Sequence, residues 1–298
     1  MNIATHHLAV DEPANRHPWD AAAAGWNHHT AMIRDWLQPV TQMMLDEARI
    51  GLGSRVLDIA AGAGDQTLDI ARRVGSEGWV LATDISPAIL GLAKKNAHIA
   101  GLKQITTQVA DAQSLGLAGA DFDAAVCRLG LMFCCSPLVA LTEIRAALRP
   151  GGRFSALVFG EPVRNPCLTI ALTTARKHAG LASVAPAKIS ATGSKDTFEP
   201  GTLMSLGKPG LLEALLHTAG YVDITVRRIY APFHAPSVEH YIDFLRSSAS
   251  PVIEILASLS ATAQQLAWID MIEQLRVFSS KSGWEGPKEL LLCSATAP

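Results

Sequence analysis

The sequence of 298 residues predicts an α/β protein with a doubly wound, mostly parallel sheet. The first observation is an apolar strand-like run that passes through a glycine turn into a helix-like run. The second is that strand-like and helix-like runs alternate from there to about residue 160. Right-handed crossovers place helices on both faces of such a sheet, and ligands then bind outside the carboxyl ends of the strands.

The stretch VLDIAAGAGD at residues 56–65 is the most informative part of the chain. An apolar strand ends in small residues that include Gly62 and Gly64, and a helix is predicted over 66–74 with Gly75 at its end. A glycine turn at a helix N-terminus leaves backbone N–H groups unpaired and unobstructed. The stretch therefore predicts a cradle for an anionic or polar ligand.

The next strand-like run, WVLAT at 79–83, ends in Asp84, twenty residues beyond Gly64. An acidic residue at this strand end can accept hydrogen bonds from ribose hydroxyls, a need that nicotinamide and adenosine ligands share. A dinucleotide site would carry a third glycine where this chain has Thr67, which disfavours NAD without excluding it.

The third strand-like run, at 105–110, is followed by Asp111 and Ala112. An acid at this strand end suits hydrogen bonding to an exocyclic adenine amine. Ile85, Ala112 and Leu129 would supply apolar faces for the ring. The predicted edge of the sheet thus offers separate partners for a ribose and for a base.

Several motifs, in order, resemble those of the class I S-adenosylmethionine-dependent methyltransferases. They are VLDIAAGAGD, LATDIS, TTQVADA, and FDAAVCRLGLMF followed by LRPGGRF, within roughly residues 50–160. Within that superfamily the chain is most similar to the small-molecule branch around the ubiquinone and menaquinone biosynthesis methyltransferases. The resemblance implies a Rossmann-like sheet of seven strands with the last antiparallel, and S-adenosylmethionine as the cofactor.

The resemblance also implies which residues hold the cofactor. The first motif, at Asp58, Gly62 and Gly64, would lie along the methionine part, Asp84 would bind the ribose, and the third motif would bind the adenine. The residues assigned to the cofactor on this basis are Trp26, Asp58, Ala60, Gly62, Gly64, Asp84, Ile85, Asp111, Ala112 and Arg128.

Two of these residues have alternatives that the sequence leaves open. Trp26 stands where related methyltransferases often carry an aromatic residue over the cofactor, and an aromatic face attracts a sulfonium, but plain helix packing explains it equally well. Arg128, at the end of the fourth strand, would touch the cofactor or a substrate carboxylate, or would pair with a local acid.

Candidate catalytic bases are histidines outside the motifs. Methyl transfer is an in-line displacement, so alignment supplies most of the rate, and a base is needed only where the nucleophile must lose a proton. The candidates, each of which is alternatively a solvated or hydrogen-bonded histidine, are His28, His29, His234 and His240. No His/Cys spacing typical of a metal site occurs, so no metal is predicted.

The chain divides into a helical cap at 1–50, with 1–17 loosely attached, and a methyltransferase domain at 51–298. Helices are predicted to start at Pro87 and Pro137, with Ser86 and Ser136 as N-caps, and a strand is predicted at 153–159. Further helices are predicted at 165–180, 211–219, 238–247 and 261–278, and strands at 222–230 and 289–296. Insertions at about 161–207 and 236–286 would form a lid over the strand ends.

Charge and composition exclude some classes of protein. With 25 Lys and Arg against 27 Asp and Glu, the formal charge of −2 argues against nucleic acid as a partner. No secretory segment and no apolar run of membrane-spanning length is visible, so we expect a cytoplasmic protein. The five cysteines show no CxxC spacing and are predicted to be reduced, buried thiols.

The sequence favours an enzyme that methylates a small, apolar or aromatic metabolite. The alternative is a catalytically silent cofactor-binding or partner-scaffold protein. A nucleic-acid methyltransferase is disfavoured because CRLG at 127–130 stands where an Asn-Pro-Pro-Tyr-like motif would follow the fourth strand, and Thr67 opposes a nicotinamide oxidoreductase. Whether O, N or C is methylated, and whether the protein works as a homodimer, stays open.

Overall fold

A computed structural model describes residues 16–119, 121–181 and 199–298. The predictions for residues 1–15 and for 182–198 of the first insertion lie outside these residues. The chain begins with two helices, α1 (Arg16–His28) and α2 (Thr30–Glu47), where a helical cap was predicted. The buried face of α2 includes Trp36 and Met44 and packs against the central sheet.

Strands and helices then alternate as the sequence predicts. The elements are β1 (Arg55–Ile59), α3 (Asp65–Val74), β2 (Trp79–Asp84), α4 (Pro87–Ile99), β3 (Ile105–Val109), β4 (Phe122–Arg128), α5 (Pro137–Ala147) and β5 (Leu148–Phe159). The second half contains α6 (Pro166–His178), α7 (Leu211–Thr218), β6 (Val222–Tyr230), β7 (Phe233–Ala235), α8 (Val238–Ser248), α9 (Ser250–Ala257), α10 (Ala261–Leu275), β8 (Ser279–Ser280), β9 (Gly283–Gly286) and β10 (Glu289–Thr296).

The central sheet has seven strands in the order β3-β2-β1-β4-β5-β10-β6. The pairs from β3 to β5 are parallel, whereas β10 runs antiparallel to β5 and to β6. The predicted fold class, a Rossmann-like, doubly wound and mostly parallel sheet, is confirmed. Its strand order reverses between β1 and β4, and this switch point is where open α/β sheets bind ligands.

Two local predictions need correction. Ser86 caps α4 as expected, since its Oγ accepts a hydrogen bond from the Ile89 N–H (3.1 Å), but Ser136 makes no such side-chain bond to α5. The strand predicted at 153–159 begins at Leu148, because β5 pairs with Phe122 before a register shift and resumes pairing at Arg153. Residues 150–152 are therefore part of an irregular strand and not of a loop.

The insertions build a helical layer beside the carboxyl ends of the strands. Helices α1, α6, α8, α9 and α10 pack on one another there. The helix α9 and a small antiparallel sheet in the order β7-β9-β8 were not predicted. No described helix is both long and apolar enough to cross a membrane.

Candidate cofactor and substrate site

A cavity of about 280 Å³ lies at the carboxyl ends of β1, β2 and β4. Its walls come from the turn after β1, from the residues that follow β2, β3 and β4, and from aromatic side chains of α1. Most residues assigned to the cofactor from the sequence line this cavity, and these are Trp26, Ala60, Gly62, Asp84, Ile85, Asp111, Ala112 and Arg128. The other two assigned residues, Asp58 and Gly64, do not line it.

Asp58 lies behind the cavity and not along it. Its carboxylate is fully buried and accepts hydrogen bonds from Gln66 Nε2 and from Thr67 Oγ1, the latter at 2.6 Å. Burial raises the pKa of Asp58 to about 6, while the bonds from Thr67 and Gln66 oppose that shift. Asp58 therefore ties the first turn of α3 to β1, and Thr67 donates to it at the position where a dinucleotide site would carry glycine.

Gly64 forms the junction between the turn and α3. Its φ of +88° lies in the left-handed region, and an added Cβ would stand 3.0 Å from Ala93 Cβ and 3.1 Å from Ala93 Cα. Both the backbone conformation and the close approach of α4 therefore require glycine here.

Gly64→Ala is expected to lose more stability than Gly53→Ala. Gly53 also has positive φ, at +77°, but an added Cβ would meet nothing within 4 Å, so this control carries only the conformational penalty of about 1 kcal/mol. The contact with Ala93 should cost Gly64→Ala roughly 1 to 3 kcal/mol more. Urea unfolding of both variants measures the difference. Equal losses of stability in the two variants would show that α4 moves away from the added methyl group without an energetic penalty.

The carboxylate of Asp84 connects the end of β2 to the turn after β1. Oδ2 accepts the Gly62 N–H and Oδ1 accepts the Ser86 N–H, both at 3.0 Å. Burial raises the pKa of Asp84 above its usual value, and the backbone hydrogen bonds from Ser86, Gly62 and Ile85 oppose that shift. Since a carboxylate has about four acceptor sites and three backbone N–H groups use them, Asp84 retains capacity to accept a hydroxyl from the cavity.

The region after β3 offers an acid beside apolar walls. Asp111 Oδ1 accepts the Gln113 N–H at 2.9 Å, and Gln113 Oε1 accepts the Ser136 N–H at 2.7 Å, which fixes this loop. Ile85, Ala112 and Leu129 line the same cavity. The arrangement can hold a flat ring between apolar side chains with a hydrogen-bond acceptor at its edge.

Arg128 pairs with an acid of the cavity wall. Its Nη2 lies 2.9 Å from Asp65 Oδ2, and its Nη1 donates to Thr41 Oγ1 at 2.8 Å. Asp65 begins α3 and also pairs with Arg34 at 2.9 Å. The sequence left three partners open for Arg128, namely the cofactor, a substrate carboxylate and a local acid. The structure shows a pair with a local acid, Asp65. Because Arg128 and Asp65 both line the cavity, the pair presents both charges toward a ligand.

The four candidate histidines do not line the cavity. His28 is exposed, and His29 Nε2 is hydrogen-bonded to Ser247 Oγ on α8 (2.9 Å). His234 and His240 are exposed, with His234 Nδ1 3.8 Å from Glu285 Oε2. His234 alternates with buried Phe233 and Ala235 along β7, and α8 buries Tyr241 and Phe244 while His240 faces outward. None of the four thus lies in the wall of either cavity, and a histidine base stays a prediction.

A second cavity, of about 70 Å³, adjoins the first. The two share Trp19, Trp26, Leu129 and Phe133 in their walls. The remaining wall comes from α2, α6, α8, α9 and the end of β5, and apart from Ser248 and Lys288 it is apolar. Sequence reasoning missed Lys288, because a lysine ahead of a buried strand resembles any surface lysine.

One donor in the shared wall has no acceptor. Trp26 Nε1 is buried and makes no hydrogen bond with any residue in the described part of the chain. The Trp26 ring packs edge-on against Phe244 of α8, with ring centroids 6.3 Å apart. Trp26 therefore packs within the helical layer and also faces both cavities.

Comparison with known proteins agrees with this geometry. Residues 56–152 match the family model of a methyltransferase domain. The chain is 32% identical to the aklanonic acid methyltransferase of Streptomyces sp. (strain C5) over 129 residues, 43% of this chain and 57% of that protein. It is 32% identical to a ubiquinone/menaquinone biosynthesis C-methyltransferase of Coxiella burnetii over 123 residues, 41% of this chain and 49% of that protein. The chain thus spans about half the length of the curated relatives it matches.

A solved structure from Bacillus halodurans C-125, described as a methyltransferase, matches the fold with a TM-score of 0.57. That match covers 87% of this chain and 98% of the other at 17% identity, so it shows the fold alone. The family match identifies residues 56–152 as a methyltransferase domain, and the fold shared with the solved structure agrees with that class of domain.

S-adenosylmethionine is the cofactor of this class, and the residues present fit it. The remaining acceptor capacity of Asp84 suits a ribose hydroxyl, and the acid and apolar walls after β3 suit adenine. The Arg128–Asp65 pair suits the zwitterionic end of a methionine. The glycine turn lets the ligand approach the backbone between these groups.

Proposed function

We propose that this protein transfers a methyl group from S-adenosylmethionine to a small, mostly apolar substrate. The observation that carries the proposal is the second cavity, which adjoins the first cavity and is lined almost entirely by apolar side chains. A substrate held there would lie next to the position of the reacting methyl group.

The proposed mechanism rests on alignment and exclusion of water. When bound, S-adenosylmethionine supplies an electrophilic methyl group on its sulfonium. Asp84 would hold the ribose and Asp111 the adenine edge, and so fix the direction of the methyl group. Trp19, Trp26 and Phe133 would cover the junction of the two cavities and exclude water there. Holding the reactants in line is the main source of rate in such a displacement.

A catalytically silent cofactor-binding protein is the alternative, and turnover separates the two. We expect the purified protein to bind S-adenosylmethionine and S-adenosylhomocysteine in calorimetry and to give no heat with NAD. We also expect it to release S-adenosylhomocysteine when incubated with a panel of apolar aromatic acids, phenols and amines.

Three outcomes distinguish these functions. Tight NAD binding without a response to either sulfur compound would contradict the cofactor assignment. Binding of both sulfur compounds, with no product from any member of the panel, would favour the silent protein. Product from at least one apolar member, absent with Asp84→Ala at the same cofactor concentration, supports the enzyme.

A further inference from the structure

A buried lysine lies in the wall of the second cavity and not in that of the first. Lys288 is 1% exposed, and its Nζ lies 5.1 Å from the ring centroid of Trp36, 5.3 Å from that of Phe233 and 5.0 Å from that of Tyr241. Within the described residues, the single hydrogen bond of Nζ is to Tyr241 Oη, at 3.1 Å. An ammonium has three N–H donors, so two are left without an acceptor.

No carboxylate of the described residues forms an ion pair with this ammonium. Glu289, next in the chain, is directed instead to Arg164, with Oε2 3.4 Å from Arg164 Nε. The three rings stabilise a cation through their faces, but burial of a charge without a counter-ion remains costly. A methionine of similar length would fill the same space without that cost. Packing alone therefore does not account for a lysine at this position.

The place of Lys288 relates it to the methyl-transfer site. It lines the cavity that shares Trp26 and Leu129 with the cofactor cavity, and the ring of Trp36 belongs both to this wall and to the cage around Nζ. Its backbone is fixed, since the Lys288 C=O accepts the Ala231 N–H at 2.9 Å. An anionic group on an apolar molecule in this cavity would meet a preformed cationic partner.

We propose that Lys288 recognises an anionic oxygen, a carboxylate or an ionised phenol, on an otherwise apolar substrate of this protein. The inference rests on the proposed function, and it adds the charge that the substrate carries. Lys288 acts here as a specificity residue that binds and orients the substrate. Trp26 Nε1, the unpaired donor in the shared wall, offers a second hydrogen bond to the same molecule.

The charge of Lys288 depends on pH, so the proposal can also be tested on the wild-type protein. Burial lowers the pKa of Lys288 to about 8, so the ammonium is present below that pH and is lost as the pH rises through it. The titratable groups that face it are Tyr241 on α8 and Cys167 on α6. Burial raises the pKa of Cys167 to about 12 and that of Tyr241 well above its usual value, so both stay neutral in this range. Trp36 and Phe233, from α2 and β7, do not titrate.

The experiment compares matched ligands in calorimetry with saturating S-adenosylhomocysteine. The probes are 2-naphthoate, 2-naphthol and the neutral 2-naphthamide, and the proteins are wild type, Lys288→Met and the exposed control Lys281→Met. We expect wild type and Lys281→Met to bind 2-naphthoate, the probe that is ionised at pH 7, about tenfold or more tightly than 2-naphthamide, and Lys288→Met to lose that preference. S-adenosylhomocysteine affinity should stay unchanged in all three proteins.

The comparison of 2-naphthoate with 2-naphthol identifies which chemical group supplies the anionic oxygen. A preference that depends on Lys288 for 2-naphthoate alone supports a carboxylate. A preference for 2-naphthol alone supports a phenol that releases its proton to the solvent on binding, because the free naphthol is neutral at pH 7. With wild type, the preference for 2-naphthoate over 2-naphthamide should fall between about pH 7 and about pH 10, because the ammonium is lost while the carboxylate stays ionised. This arm tests the proposal even if Lys288→Met does not fold.

The same titrations distinguish a wrong role for Lys288 from a wrong proposed function. Absence of S-adenosylhomocysteine binding to wild type contradicts the cofactor assignment. Intact S-adenosylhomocysteine binding, with the same probe preference in wild type and Lys288→Met, overturns the role of Lys288 alone. A preference in wild type that is constant from about pH 7 to about pH 10 also overturns it.

Discussion

Asp84→Ala is expected to weaken the binding of S-adenosylhomocysteine by about 1 to 3 kcal/mol, roughly five- to 150-fold. The loss has two physical causes. The hydrogen bonds that we assign to the ribose hydroxyls disappear, and the Gly62 N–H loses the acceptor that holds the turn after β1 against β2. Calorimetry on the purified variant measures the change in dissociation constant.

The control for Asp84 is an acid of the helical cap that faces solvent. Asp35→Ala on α2 removes an exposed carboxylate and should leave the affinity unchanged. Circular dichroism should show both variants folded, since the described sheet and its core do not depend on either side chain alone. A dissociation constant for Asp84→Ala equal to that of wild type would show that Asp84 does not hold the ribose.

The sheet was predictable because its signals are local and strongly periodic. The strand of residues 56–59, the glycine turn and the acids at 84 and 111 lie at strand ends, and parallel strands bring those ends to one edge. Asp58 shows the limit of such reasoning. Its position in the first motif can be recognised in the sequence. Only the structure shows that Gln66 and Thr67 donate hydrogen bonds to its carboxylate.

The substrate half of the site was less predictable because it is assembled from distant segments. The cage around Lys288 combines Trp36, Phe233 and Tyr241 from three separate elements. The outward direction of His234 depends on a three-residue strand, which is too short for its alternation to be recognised in the sequence. Side chains of insertions receive their direction from tertiary packing, so the sequence held no local signal for the direction of these histidines.

Gly25→Ala is expected to displace α1 from α8 and so open the wall shared by the two cavities. Gly25 is buried, and an added Cβ would lie 1.8 Å from the Ser247 carbonyl oxygen and 2.4 Å from its carbon. These are backbone atoms of α8, so no side-chain rotation relieves the contact. Overpacking of this kind costs about 1 to 3 kcal/mol or more, and here the two helices would have to separate.

The consequences of Gly25→Ala reach the site because α1 carries Trp19 and Trp26. Urea unfolding should show lower stability, limited proteolysis should cut α1 faster than in wild type, and the fluorescence of the tryptophans should shift to the red as water reaches them. The hydrogen bond between His29 and Ser247 should weaken at the same junction.

Gly91→Ala is the matched control, with the opposite expected sign. Gly91 lies within α4, is exposed, and an added Cβ would meet nothing within 4 Å, so alanine should stabilise the helix by up to about 1 kcal/mol. A Gly25→Ala protein with the stability, protease resistance and fluorescence of wild type would show that α1 is not held by close contact with α8. Elements other than α1 and α8 would then have to shield the second cavity from water.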